Sequence, residues 1–431
     1  MRPALALLAC LALLLSPSPA PAEGPQPTYV LRVPAPMGDA AQRLLGLGYD
    51  VVEQRDGDDL FVVGDVRTAD MLLSDGFRSS VETVMPPSQW APRSLADTTY
   101  YGGYRTITAQ LAHLDEVANA HPELASVVDY GDSWRKTRGS GGYDLKAICI
   151  TRKRPGDCAL TPTAPKPRLF VMGQLHAREI TTGDMAWRFI DDLVGSDLTA
   201  MLDALEVWVV PIANPDGVEI VESGGDSPVL HRKNANGTCG SGQRGVDLNR
   251  NAGSHWGEVG TSRDKCSEVY RGPSADSEVE TQALESLWRK LYRDTRAPGD
   301  TAAAAADTTG TVISMHSYGN YVLFPWGWST QKTGNDAALR KIAQDMASLS
   351  GFRAGQPGEL LYNASGATDD WVYEDLGVPS FVWEIGASSG ACGGFLPAYS
   401  CQKDVHWPKV RPMLVSAMKA ALGPYRTKGS P

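Results

Sequence analysis

Three short runs constrain this chain more than anything else in it: RLFVM at 168–172, VISM at 312–315 and SFVW at 380–383. Each is rich in β-branched or aromatic residues and free of proline, which is the pattern of a strand. None leaves a clean polar face for water, so these strands belong in a sheet covered on both sides. Helix-patterned stretches lie between and around them at 106–120, 182–194, 277–292 and 335–349, with further strand candidates at 144–150 and 206–210. Such alternation predicts an α/β architecture from Tyr100 onward, with a largely buried sheet flanked by helices. The alanine tract at 302–307 reads as a surface loop.

Residues 29–84 form a separate alternating block: YVLRV, DAAQRLLGLG, YDVVEQ, LFVVG, a helical stretch at 68–75, then SSVETV. A unit this small can fold but has little core of its own. The proline-rich MPPSQWAPRSLADTT that follows reads as an exposed linker suited to a cut. Residues 1–22 carry one arginine, an apolar stretch from Ala4 to Leu15 and a small-residue end at Ala20-Pro21-Ala22. This is the build of a secretory signal removed after Ala22, and its apolar stretch is short of the ~20 residues that span a bilayer. Lipidation at Cys10 is disfavoured, because most of the apolar run would follow that cut.

With Cys10 removed, Cys149, Cys158, Cys239, Cys266, Cys392 and Cys401 remain. An even set in an exported chain suggests disulfides, and order in sequence favours 149 with 158, 239 with 266 and 392 with 401. Net charge is −10 without any block of lysine or arginine, which excludes the electrostatic footprint of a nucleic-acid binder.

The apolar runs end on chemistry. RLFVM leads into GQLHAREI, where His176 and Glu179 are good metal ligands; alone, this spacing occurs often by chance. VISM leads into His316, and two histidines with one carboxylate make a catalytic zinc set that keeps a position open. SFVW leads into Glu384, a carboxylate placed to move protons beside such a metal. RGVDLNRN groups Asp247, Asn249 and Arg250; an arginine fork there suits a carboxylate or an ordinary salt bridge equally.

In order, HAREI, NPDG at 214–217, HRKN at 231–234, GVDLNRN, CSEVYRGP, HSYGNYVLFPWG, YNASGATDDW, FVWEIG and GFLPA resemble the zinc metallocarboxypeptidases of the digestive A and B type. The resemblance runs from about Tyr100 to near Leu422. It implies a mixed central sheet, one Zn2+ on His176, Glu179 and His316, and Glu384 as general base and acid. It further implies that Arg232 steadies the oxyanion and Arg178 lines a nearby subsite. Asn249, Arg250 and Tyr362 would grip the terminal carboxylate of a peptide, and Asp247 would orient His176.

The same resemblance divides the chain into a signal peptide at 1–22, a pro-segment and linker at 23–93 with the activating cut at Arg93, and a catalytic domain at 94–431. The pro-segment would inhibit, although the block is shorter than its family counterpart and has no sequence match. A secreted monomer acting on peptide or protein C-termini is expected, with no nucleic-acid or membrane partner after signal removal. Asp369, seven positions after Tyr362, matches the aspartate of B-type enzymes and implies a preference for C-terminal Lys or Arg. Leu323, Gly327, Leu361, Ala364, Ala367 and Val382 are small or apolar, so a mixed pocket stays open. Val229, where the family often carries arginine, and Ile385-Gly386 depart from the pattern. A peptidoglycan stem peptidase and an inactive relative that binds C-terminal tails are the alternatives. His113, His121, His255 and His406 lack partner spacing and are expected at the surface or at helix ends.

Overall fold

The computed structural model describes residues 26–85, 97–237, 239 and 245–426, so the signal segment and the Arg93 cut lie outside the described residues. In chain order the first unit comprises β1 (Thr28–Pro34), α1 (Asp39–Gly46), β2 (Asp50–Asp56), β3 (Asp59–Gly64), α2 (Thr68–Ser74) and β4 (Ser80–Met85). Its strands form a sheet in the order β2-β3-β1-β4, and each neighbouring pair is antiparallel. Leu44, Leu45 and Leu72 of the helices pack on Leu31, Val33, Val51, Leu60 and Val62. The alternate strand residues Val30, Val52, Phe61 and Val63 pack instead on Tyr318 and Phe395 of the second unit. The period-2 pleat thus gives one strand set two apolar faces, one covered by its own helices and one by the larger unit.

The larger unit starts with a short ribbon, β5 (Thr99–Tyr100) and β6 (Tyr104–Arg105), followed by α3 (Ile107–Ala120), β7 (Ala125–Asp132), α4 (Trp134–Thr137) and β8 (Asp144–Ile150). Next come β9 (Arg168–Met172), α5 (Ile180–Gly195), β10 (Glu206–Val210), α6 (Pro215–Glu222) and α7 (Val279–Leu291). It ends with β11 (Thr311–His316), β12 (Tyr321–Leu323), α8 (Asp336–Ser350), β13 (Arg353–Gly355), α9 (Pro357–Leu360), α10 (Thr368–Leu376), β14 (Ser380–Glu384) and α11 (Trp407–Ala420).

These strands make one sheet in the order β13-β12-β14-β11-β9-β10-β8-β7. Its centre is parallel, with β9 between β10 and β11 and β11 beside β14. Its margins contain antiparallel pairs. Along β9, Leu169 and Val171 face α5, α8 and α11, while Phe170 and Met172 face α7 and α10. Both pleat faces are therefore dry, which is why the run is apolar throughout. All the expected disulfides are present: Cys149–Cys158, Cys239–Cys266 and Cys392–Cys401.

The tract at 302–307 is a largely exposed loop, as expected, within which Ala304 is 6% exposed and bridges Arg296. One expectation needs correction: His113 is neither at the surface nor at a helix end but buried within α3, whereas His406 is buried at a helix end, the N-cap of α11. His113 stacks on Trp187 at 3.6 Å, and burial pushes His406 down to about 4. Their helices each press a face against the sheet, so local spacing could not reveal them. His121 does end α3, and His255 stacks on Trp328 at 3.8 Å.

Candidate active site

Parallel strands deliver their C-terminal ends to one edge of a sheet, where loops can gather chemistry. After β9 the chain turns through 173–179 into α5, and Glu179 occupies the N-cap position of that helix. Its carboxylate does not cap the helix but reaches His176 Nδ1 at 2.8 Å and His316 Nδ1 at 2.9 Å. The two Nδ1 atoms are 3.1 Å apart. All of these side chains are at most 1% exposed.

A metal fits this geometry. One donor atom from each of His176, Glu179 and His316 falls within 4.8 Å of the others, and both histidines aim the same nitrogen at the shared centre. The outer nitrogens are held in turn: His176 Nε2 lies 3.1 Å from Asp247 Oδ1, and His316 Nε2 lies 2.9 Å from Ser314 Oγ. Such outer contacts fix the tautomer that a metal ligand needs. Two-His, one-carboxylate chemistry is that of an open zinc site.

His316 and Glu384 are register partners on β11 and β14. Glu384 is 2% exposed, and among the described residues its Oε2 has no hydrogen-bond partner. Burial first, then the nearby Glu179 and Glu53 carboxylates, raise its pKa well above the ordinary value.

Asp247 links the metal ligands to the basic groups. It caps the short turn Leu248–Arg250 by accepting from Asn249 N, and it accepts from Arg232 Nε at 3.1 Å. Burial opposes its charge, but Arg232, His176 and Arg250 hold it well below the usual carboxylate range. Arg250 donates to Gly260 O and Asn249 O. Asn249 Oδ1 accepts from Thr368 N at 3.0 Å, which ties the turn to the start of α10.

The first unit enters this cleft through β2. Arg232 donates to both carboxylate oxygens of Glu53, at 3.1 and 2.7 Å, and Arg250 Nη2 lies 3.8 Å from Glu53 Oε1. Arg178 donates through both Nη atoms to Asp50, at 2.8 Å for the Oδ1 contact. Tyr362 Oη donates to Val51 O at 3.4 Å, and Arg55 Nε donates to Leu361 O at 3.2 Å. A Cβ on Gly319 would lie 2.9 Å from Glu53 O, so only glycine admits β2 this closely.

Every residue expected at the site lies at this edge or along α10 behind it. Asp369 sits in the first turn of α10 and is 4% exposed, and burial raises it to about 6. Of its expected neighbours, Leu323, Leu361, Ala364 and Val382 pack in one cluster with residues of the first unit. Its neighbour Asp370 accepts from Gly327 N at 2.8 Å and Trp328 N at 3.2 Å, fixing the chain at 327–328 against α10. Sequence reasoning missed Ser314, Asp370, Asp50 and Glu53. Ser314 was legible in principle, two positions before His316 on the strand; the others depend on folding brought about by distant segments.

Comparison with known proteins agrees. The family model for zinc carboxypeptidases matches residues 110–404. Mouse carboxypeptidase A2 is 29% identical over 310 residues, 69% of this chain and 66% of its own length, just under two thirds. Zinc carboxypeptidase of Simulium vittatum is 27% identical over 307 residues, 68% of this chain and 90% of its own. The crystal structure of carboxypeptidase A from Helicoverpa armigera superposes with a TM-score of 0.71 at 22% identity, covering 91% of this chain and 98% of that one. That likeness speaks for the fold. The family match over most of the large unit, together with the residues that the fold brings to the ends of β9, β11 and β14, means that this chain belongs to the zinc carboxypeptidase family.

Proposed function

We propose that this protein is a secreted, zinc-dependent carboxypeptidase that removes the last residue of peptides and proteins. The observation that carries the reading is the convergence of His176, Glu179 and His316 beside Glu384, with Arg232 linked to the same group through Asp247. Zinc, when bound by the three ligands, supplies Lewis acidity toward the scissile carbonyl and makes the attacking water more acidic. Glu384 accepts the proton of that water and returns it to the leaving amine. Arg232 offers its guanidinium to the oxyanion, a preplaced cation where charge develops. Arg250, Asn249 and Tyr362 hold the terminal carboxylate, so that only the last peptide bond lies over the metal.

Asp369, buried behind this clamp, supports a preference for C-terminal Lys or Arg, with apolar residues accepted by the small neighbouring positions. The unit at 29–84 acts as the inhibitory pro-segment: β2 fills the cleft, and Glu53 occupies the arginine side chain that the oxyanion needs. A cut at Arg93 would separate it from the catalytic domain.

Peptides ending in Lys, Arg, Phe, Leu or Glu, incubated with the zinc-loaded chain after cleavage in the linker, test the reading. Release of a single terminal residue, fastest for Lys and Arg and abolished by a chelator, is the expected result. No chelator-sensitive release from any of them sinks it.

A further inference from the structure

His255, expected to lack a partner, is held on three sides. Its Nδ1 lies 3.1 Å from Glu258 Oε1, its Nε2 lies 3.2 Å from Asp300 Oδ1, and its ring stacks on Trp328 at 3.8 Å. Its backbone is left-handed, with a φ of 46°, a conformation that costs energy for a residue with a Cβ unless surrounding contacts hold it. All of these groups belong to the larger unit, so the arrangement does not depend on β2 filling the cleft.

The loop that His255 fastens reaches the residues proposed to grip the terminal carboxylate. Gly260 O accepts from Arg250 Nε at 3.1 Å. Val259 O accepts from Ser365 N at 2.9 Å and Ser254 O from Gly366 N at 3.0 Å, while Ser365 Oγ accepts from Glu258 N and Val259 N. Ser365 and Gly366 follow Tyr362 by three and four residues, so one loop braces both Arg250 and the segment that carries Tyr362. The brace has little slack, because a Cβ on Gly366 would lie 2.3 Å from Arg250 O. Trp256 ties the loop to Arg271 O through its Nε1. His255 ties it toward the core: Asp300 O accepts from Trp326 Nε1 at 3.2 Å, and Trp326 is fully buried.

We infer that His255 is a positioning residue for the carboxypeptidase reaction: held by Glu258, Asp300 and Trp328, it pins the 254–260 loop, and the loop sets Arg250 and Tyr362 at the spacing a terminal carboxylate needs. The inference rests on the reading that this cleft takes peptide C-termini. His255 acts through the loop and takes no part in bond breaking. A grip on the terminal carboxylate holds the ground state and the transition state alike, so its loss belongs in KM rather than in kcat.

The test uses the zinc-loaded chain cut in the linker and steady-state kinetics on peptides ending in Lys, Arg, Phe, Leu or Glu. His255→Asn removes the ring while tolerating the left-handed backbone. It should raise KM about fivefold or more for every peptide that is cleaved, the effect of losing an aromatic stack and partly exposed contacts to two carboxylates, with kcat within about twofold. His255→Arg, whose planar fork can reach both carboxylates and lie on Trp328, should recover part of the loss. Asp300→Asn should raise KM in the same direction, and joining it to His255→Asn should add less than the two single effects together; should His255→Asn not fold, Asp300→Asn decides. KM unchanged in the single variants, or kcat falling while KM holds, overturns the inference and leaves the carboxypeptidase reading intact. Hydrolysis of no peptide by the unaltered protein overturns that reading, and the inference with it.

Discussion

His316 and Glu384 face each other as register partners at the ends of two parallel strands, β11 and β14. The pairing places an imidazole of the metal site and a buried carboxylate side by side without any loop having to position them. Rigid strands hold such groups more tightly than loops do.

From this pairing, Glu384→Gln should keep the metal and lose turnover. The amide matches the carboxylate in shape but cannot accept the proton, and general acid–base groups contribute about 10²–10⁴-fold. Zinc content near one per chain, measured with kcat/KM down by at least about 10²-fold, is the expected pair of results. A near-normal rate would remove Glu384 from the mechanism.

His316→Ala should do the opposite. It deletes one of three ligands from a buried centre and leaves Glu179 Oε2, now 2.9 Å from His316 Nδ1, without that neighbour. Zinc retained after dialysis should fall well below one per chain, read by metal analysis, while circular dichroism stays that of the folded protein.

Glu53→Gln in the uncut chain should loosen the first unit. The carboxylate sits on Arg232 in a buried pair, and breaking such a pair by removing one charge costs about 3–5 kcal/mol. With the first unit acting as the proposed inhibitor, peptide hydrolysis by the intact chain should be close to background for the unaltered protein and should rise at least about tenfold in the variant. No rise would mean that the contact of β2 with Arg232 is dispensable for inhibition.

Stability should depend on Glu285. Burial, then the hydrogen bond and charge of Asp276, raise Glu285 from its ordinary value of 4.5 to about 9. Glu285 Oε1 and Asp276 Oδ1 are buried, and among the described residues no other group donates to either, so the Glu285 proton is what joins the two carboxyl groups. Between these two values the folded state holds a proton that the unfolded state has released, so stability falls as pH rises through that window. Glu285→Gln removes the titration. Its Tm should exceed that of the unaltered protein by about 2 °C or more at pH ~8, with no gain near pH ~4, below the window. Equal differences at both pH values would refute the assignment.

Much of the fold was legible because burial writes itself into local sequence. RLFVM, VISM and SFVW had to be interior strands, and the observed β9, β11 and β14 match them. The helices at 106–120, 182–194, 277–292 and 335–349 were found within a few residues. Missed were β7, whose residues are mostly half-buried, and the three-residue β12 and β13. Short or half-exposed strands carry too little pattern to separate from turns.

By itself the sequence marked the candidate residues: the proposed ligands, base and arginines stand at the ends of apolar runs or within short polar motifs, where side-chain type limits what each can do. Only the tertiary structure decided their partners. That His316 stands opposite Glu384, that Asp247, expected on His176, also holds Arg232, and that Asp50 and Glu53 neutralise arginines far along the chain follow from strand order and docking between units. The reason is physical: local sequence fixes a strand's faces and a turn's conformation, whereas the counter-charge of a buried group comes from whichever distant segment packs against it.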